Sequence, residues 1–349
     1  MVKALIFGGE RVVRPHSVPE AAVESPGDAL LQVRLTAVCG SDLHIYHGRE
    51  TGLDRGTVLG HEVVGEVLEV GPEVRSVRPG DRVACPFTTS CGRCFYCLRG
   101  LTCRCTEGQL FGWVEDGEGL QGTQAERVRV PLADSTLVLL PDSVSDEEGL
   151  LLGDVLPTGY FCADLAGVDS SGVYAVVGCG PVGLMAVAAA RHRGAAQVVA
   201  IDSVPERLEL ARLFGARPLD YSEESPTEAL REMTEGRGAD AALEVVGSPA
   251  AIRTAVDLVR PGGTVASVGV HTEERFAFAP GEAYDRNLTY RSGRCPARHY
   301  METLLPLVVE GRFPLDAVIS HRMPLEEGPQ AYSLFDEKRD GCTKAVLVP

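Results

Sequence analysis

Val173-Tyr174-Ala175-Val176-Val177-Gly178-Cys179-Gly180-Pro181-Val182-Gly183 decides the fold of this chain. The five apolar residues at its head read as a buried strand. The glycines that follow are spaced G-x-G-x-x-G, and Pro181 suits a first helical position, where a missing N–H is no loss. Gly178 permits a tight turn, Gly180 lets the backbone approach a pyrophosphate, and Gly183 allows the helix to pack closely on the strand. Together with Pro181 and Val182 they predict a cofactor's phosphates resting on the free N–H groups of the helix start.

Working outward, Pro181–Arg193 reads as a helix, Gln197–Ile201 as a strand and Pro205–Phe214 as a helix. Ala239–Val246, Ala250–Val259 and Thr264–Gly269 continue the alternation. This is the rhythm of a doubly wound parallel sheet, so the expected fold class is α/β with a Rossmann domain over residues 154–296. Asp202 ends the second strand, about 20 residues beyond the glycine turn. A carboxylate there accepts hydrogen bonds from ribose hydroxyls and repels a 2′-phosphate, which predicts NAD rather than NADP. Val246, Val268 and Val270 are further candidate cofactor contacts. Arg207 and Lys344 read either as cofactor contacts or as surface cations.

Residues before about 153 have a different texture. Ala29–Cys39, Val63–Gly71 and Gln124–Val130 are alternating or β-branched runs between glycines and prolines, which suggests a partly closed barrel or a folded sheet. From about Pro296 the pattern becomes two amphipathic helices, Arg298–Glu310 and Leu325–Phe335, with a last strand at Ala345–Val348. We place that segment back on the first domain, giving residues 1–153 with 297–349. A chain of 349 residues suits two domains.

The formal net charge of −16 comes with no basic patch, so a nucleic-acid partner is not expected. No stretch approaches the ~18 apolar residues of a membrane span. Met1–Phe7 reads as a first strand and not as a leader, and the expected location is the cytoplasm. Eleven cysteines in a chain of this size point to metal rather than to disulfides.

Cys91, Cys94, Cys97 and Cys105 stand as C-x2-C-x2-C-x7-C. Four thiolates in one short loop, over residues 91–105, can close a tetrahedral zinc site that holds the loop together. Cys103 is a rival for the fourth position on spacing alone. A second set, Cys39, His61 and Asp154, is scattered along the chain and could hold another zinc with an open position. Singly, Cys39 and His61 carry little signal.

Taken together, these motifs resemble the zinc-dependent medium-chain alcohol dehydrogenase family over essentially the whole chain. The resemblance rests on Cys39-Gly40-Ser41-Asp42-Leu43-His44, Gly60-His61-Glu62, the cysteine loop, Asp154-Val155-Leu156-Pro157-Thr158-Gly159, the glycine turn and Asp202. It implies a GroES-like catalytic domain beside the Rossmann domain, with the active site in the cleft between them. It implies a catalytic zinc on Cys39, His61 and Asp154, with Glu62 as a possible fourth ligand, and it favours Cys105 over Cys103 in the structural site. Many members carry cysteine where this chain has Asp154.

By the same resemblance Ser41 is a relay hydroxyl, His44 passes the proton toward solvent, Asp42 orients the zinc-bound histidine and Thr158 meets the nicotinamide side of NAD. Candidate walls of the substrate pocket are Ile45, Phe87, Trp113 and Leu120. The implied reaction is reversible hydride transfer between a primary or secondary alcohol and NAD, giving an aldehyde or ketone. Sorbitol-type polyol dehydrogenase and L-threonine dehydrogenase are alternatives within the family. A non-catalytic NAD-binding structural or sensor protein is the alternative outside it. The resemblance also implies a homotetramer, or a dimer, with Asn287–Arg291 as a candidate edge strand.

Overall fold

The computed structural model describes residues 1–349, which fold as two compact units. One consists of Met1–Pro157 with Pro296–Pro349, the other of Thr158–Cys295. Asp154 therefore belongs to the first unit, and the boundary falls after Pro157, four residues beyond the expected one. The reason is local: the helix Asp146–Gly153 that carries it packs on the strands of that unit.

The strands of the first unit before the crossover are β1 (Val2–Gly9), β2 (Val12–Val18), β3 (Ala29–Ala37), β4 (Val63–Val70), β5 (Arg82–Cys85), β6 (Trp113–Glu115), β7 (Glu118–Leu120), β8 (Arg127–Val130) and β9 (Val138–Leu139). Its C-terminal segment adds β16 (His321–Pro324) and β17 (Ala345–Val348). β1 and β2 form a hairpin, and the main sheet runs β16-β17-β3-β4-β5-β9 with β8 also on β3. One edge of β3 is thus shared: Ala29–Gln32 pair with β8, while Thr36 and Ala37 pair with Leu347 and Val346 of β17. Register shifts in β3 against β4, between Leu30 and Leu31 and between Val33 and Leu35, bend the strand so that it can serve both partners. The C-terminal segment joins the first unit through this pairing. Leu31, Val63, Val67, Val83 and Val128 fill one core, and Leu5, Leu59, Tyr332 and Leu347 another.

The second unit is a six-stranded sheet of β10 (Val173–Val177), β11 (Gln197–Asp202), β12 (Arg217–Asp220), β13 (Ala239–Glu244), β14 (Val259–Ser267) and β15 (Thr289–Ser292). The order is β12-β11-β10-β13-β14-β15, every pair parallel. This is the Rossmann order, and its reversal point lies between β10 and β13. Helices Pro181–His192, Pro205–Leu213 and Pro249–Leu258 each begin with proline at the first turn. The helix Pro226–Met233 and the strand β12 were not anticipated, because neither carries a long apolar run. No helix of the structure is long and apolar enough to cross a membrane.

Candidate active site

Three separate segments of the first unit meet at one point. Cys39 follows β3, His61 and Glu62 precede β4, and Asp154 caps the end of the helix Asp146–Gly153. That helix is held at its start by a capping box, with Ser145 accepting from the Glu148 N–H and Glu148 accepting from the Ser145 N–H. Asp146 in its first turn accepts from Arg34 Nε and Arg82, each at 2.8 Å. Gly153 lies where a Cβ would come within 2.5 Å of the Cys85 carbonyl, so a small residue lets the helix end approach the sheet. Opposite, the Glu62 carbonyl accepts from Thr36 Oγ1 at 2.8 Å and Thr123 Oγ1 at 2.9 Å, which pins the His61–Glu62 backbone.

Cys39, His61, Glu62 and Asp154 place one donor atom each within 4.8 Å of one another. His61 Nε2 lies 3.4 Å from Asp154 Oδ2, and Cys39 Sγ lies 3.6 Å from the same oxygen. Bond lengths of 2.0–2.3 Å about a tetrahedral zinc give nitrogen–oxygen edges of about 3.3 Å and sulfur–oxygen edges of about 3.5 Å. The observed separations match those edges. His61 Nδ1 faces Asp42 Oδ1 at 3.2 Å, and Asp42 Oδ2 accepts the Cys39 N–H at 2.9 Å. Asp42 therefore fixes the tautomer that leaves Nε2 free for a metal. Ser41 Oγ lies 3.2 Å from His61 Nε2, and His44 is buried on the short helix Asp42–Tyr46.

Glu62 has no exposed surface, and its Oε2 has no hydrogen-bond partner. An orphaned buried carboxylate oxygen beside a thiol, an imidazole and a second carboxylate is what a divalent cation would satisfy. The other Glu62 oxygen is bound by the Lys344 ammonium, which also donates to the Val38 carbonyl at 3.1 Å. This corrects the expectation that Lys344 meets the cofactor: it is fully buried and committed to Glu62. One thiolate, two carboxylates and one ammonium leave a deficit of two positive charges, which a zinc ion would fill.

Without the metal these groups crowd protons. Burial, then the charges of Asp154 and Glu62, push the Cys39 thiol above its ordinary range. Burial opposes the His61 imidazolium, but Asp42, then the bonds to Asp154, Asp42 and Cys39, outweigh it and hold His61 well above the usual histidine range. Metal needs both in their deprotonated forms. Zinc affinity should therefore fall as pH drops from 8 to 6, with proton release on binding. Competition with a chelator at both values, and calorimetry in buffers of different ionisation enthalpy, check this; pH-independent uptake at this site would contradict it.

Cys91, Cys94, Cys97 and Cys105 form the second group, their sulfurs also within 4.8 Å. Cys103 lies on the short turn Thr102–Arg104 and is not in the group, so the structure selects Cys105. The Cys105 sulfur accepts the N–H of Cys91 at 3.2 Å and of Glu107 at 3.4 Å. Hydrogen bonds from the Cys97 and Thr106 backbone lead the causes that bring the Cys94 thiol down to about 6, a readily formed thiolate.

Of the four expected pocket walls, Phe87 faces the metal group, its ring edge-on to that of His61 with 6.3 Å between ring centroids. Leu120 is corrected: it is 2% exposed in the core with Phe111. Ile45 packs with Val38 and Tyr332 in the other core, and Trp113 lies against that core from its edge.

In the second unit, Gly178 has φ +96°, and a Cβ on Gly183 would lie 1.9 Å from the Gly178 carbonyl, so neither admits a larger residue. Gly180 caps the helix Pro181–His192 without any side-chain bond, leaving its first N–H groups for an anion. Asp202 is buried; Oδ2 accepts from the Cys179 N–H at 2.7 Å, and Oδ1 from Ser203 and Val204 at 2.7 and 3.1 Å. It fastens the glycine turn as well as ending β11. Arg207 is also buried and no surface cation, and its Nε lacks a hydrogen-bond partner, which suits an anionic cofactor. Val246 and Val270 are exposed, Val268 half-buried, and Thr158 half-buried on the helix Val155–Leu165. The role of Lys344 escaped sequence reading, although one charge inside Thr343-Lys344-Ala345-Val346-Leu347 was a visible signal.

Residues 25–142 match the family model for the alcohol dehydrogenase GroES-like domain, and residues 181–310 that for zinc-binding dehydrogenase. The chain is 41% identical over 343 residues to "Zinc-type alcohol dehydrogenase B" of Aspergillus flavus, covering 96% of this chain and 79% of that protein. It is 34% identical over 338 residues to "NADP-dependent isopropanol dehydrogenase" of Thermoanaerobacter brockii, covering 94% and 95%. Among solved structures, alcohol dehydrogenase TADH from Thermus sp. ATN1 superposes with a TM-score of 0.92 at 39% identity, covering 99% of each chain.

Proposed function

The chain belongs to the zinc-type medium-chain alcohol dehydrogenase family, and on that premise we propose that it transfers hydride reversibly between a primary or secondary alcohol and NAD. The observation that carries the proposal is the convergence of Cys39, His61 and Asp154 at tetrahedral spacing, beside the unsatisfied oxygen of Glu62. Cys39, His61 and Asp154 would hold the catalytic zinc, with Glu62 as alternate ligand; the cysteine loop would hold the structural one. Zinc in such a site supplies Lewis acidity toward an alcohol or carbonyl oxygen.

The protein's own groups do the rest. Asp42 orients His61 through Nδ1, and Ser41 Oγ stands beside His61 to take up or give a proton at the reacting oxygen. His44 is the next titratable group along the same segment and the candidate for passing that proton on. Phe87 contributes an apolar wall that favours alcohols with hydrocarbon substituents.

The preference for NAD rests on Asp202. A buried carboxylate at the end of β11 leaves no room for a second anion, and with three backbone N–H groups bound it stays in place. The Thermoanaerobacter relative is by name NADP-dependent, so the cofactor is the point to test. Initial rates with NAD and NADP across primary alcohols, secondary alcohols, a polyol and threonine decide both questions. We expect the highest kcat/KM with NAD and a simple alcohol. A higher kcat/KM with NADP would overturn the role of Asp202, and selective turnover of the polyol or threonine would overturn the substrate class.

We also propose a homotetramer in the cytoplasm, acting on small molecules with no nucleic-acid or membrane partner. The support for assembly is the open edge of β15, Thr289–Ser292, beside the exposed Phe276 and Tyr284. Sedimentation as a 37.2 kDa monomer would refute it.

A further inference from the structure

We propose that Glu244 is a positioning residue for the nicotinamide half of the cofactor, acting with Ser267 and His271 as a clamp on the far rim of the Rossmann sheet. The inference rests on reading the second unit as a dinucleotide domain, and it adds residues that the glycine motif does not contain.

Glu244 ends β13 and has no exposed surface. It is a charged residue closing the apolar run Ala241-Ala242-Leu243, and burying it is costly unless each oxygen is satisfied. Oε1 accepts the N–H groups of Val246 and Gly247 at 2.8 and 2.7 Å. Oε2 accepts from Ser267 Oγ at 2.6 Å, at the end of the adjacent strand β14. His271 Nε2 lies 2.7 Å from the same hydroxyl and 3.4 Å from Oε2. Ser267 has one proton and gives it to the carboxylate, so His271 Nε2 must be the donor toward Ser267. One buried carboxylate thus joins the turn after β13 to the turn after β14, and a partly exposed imidazole closes the outer side.

The two turns also touch directly. A Cβ on Gly247, where φ is +80°, would lie 2.2 Å from the Val270 carbonyl, and one on Gly269 would lie 2.1 Å from the Gly247 nitrogen. Their contact leaves Val246 48% and Val270 36% exposed, two valines held at the carboxyl ends of parallel strands. Ligands of such sheets bind at those ends, at the reversal point of strand order. Here the ribose-side carboxylate Asp202 is on β11, the phosphate turn follows β10, and β13 and β14 lie beyond. A dinucleotide laid across these ends has its adenosine at β11 and its nicotinamide at the valine-lined rim. The clamp holds that rim and not the adenosine half.

The test uses the full-length, zinc-replete protein with NADH and with ADP-ribose, which lacks the nicotinamide. Dissociation constants are measured for the wild type, Glu244→Gln, Ser267→Ala and the double variant. In Glu244→Gln we expect NADH to bind about tenfold more weakly, equivalent to about 1.4 kcal/mol. ADP-ribose affinity and zinc content should be unchanged, and the KM for cofactor should rise more than kcat falls. Ser267→Ala should show the same split, less strongly, and the double variant should be no worse than Glu244→Gln, since both act through one contact. If Glu244→Gln does not fold, Ser267→Ala is read alone. Equal weakening of both ligands, or of neither, overturns the clamp. A wild-type protein that binds neither ligand instead overturns the dinucleotide reading on which the clamp rests.

Discussion

Cys39→Ser should reduce turnover at least a thousandfold, about 4 kcal/mol of transition-state stabilisation, and lower the zinc content from two ions per chain to one. The size follows from the ligand set. Cys39 is the only sulfur in the metal group, and the remaining His61, Glu62 and Asp154 must then hold the ion with one soft, strongly bound donor replaced by a hydroxyl. The fold should survive, because serine keeps the volume of the buried side chain and the Cys39 N–H still donates to Asp42. Metal analysis with circular dichroism separates these effects. The converse variant, Cys97→Ser, should lose the other zinc and lower thermal stability, since an ion there would hold the loop 91–105 together. Full turnover in Cys39→Ser, or loss of both ions together, would refute the assignment of two independent sites.

Lys344→Met should destabilise the metal-stripped protein by about 3–5 kcal/mol near pH 8, the usual consequence of leaving one partner of a buried ion pair alone. Neither side chain of the pair has meaningful contact with water. Burial raises the Glu62 carboxyl, Lys344 opposes that rise, and Asp154 adds to it. Removing the ammonium therefore drives Glu62 further toward its protonated form. A carboxyl raised in the folded state above its unfolded value favours folding below the unfolded pKa, and that contribution is lost as pH climbs through the folded pKa. The deficit in Lys344→Met should accordingly shrink at pH 5 and grow toward pH 8. Zinc should reduce it, because the ion supplies the missing positive charge beside Glu62. Urea unfolding at the two pH values, with and without zinc, reads all three effects. A destabilisation independent of both pH and zinc would show that Lys344 contributes packing alone.

Much of this was open to reading along the chain. The strand Val173–Val177, the glycine turn and Asp202 are local in sequence, and each carries its own physical reason for the residue type. The cysteine loop is also local, since its four ligands span fifteen positions and geometry forces them near one another. Most element boundaries moved by one to three residues, but β14 begins at Val259, five residues before the expected Thr264. The substrate walls read poorly: Leu120 is apolar for the sake of the core, and hydrophobicity alone does not distinguish a wall from an interior.

By itself, the sequence determined the α/β class, the glycine turn, the four-cysteine group and the candidate ligands of a second metal site. Folding decided what distance in the chain conceals. Lys344 lies 282 residues from Glu62 and meets it only because β17 pairs with β3. Cys105 was separated from Cys103 by which sulfur turns inward. Glu244, Ser267 and His271 became one network because parallel strands end side by side. Periodicity and motif spacing report local backbone demands, whereas charge pairing across the interior is set by strand order and register, which join residues that no short window contains.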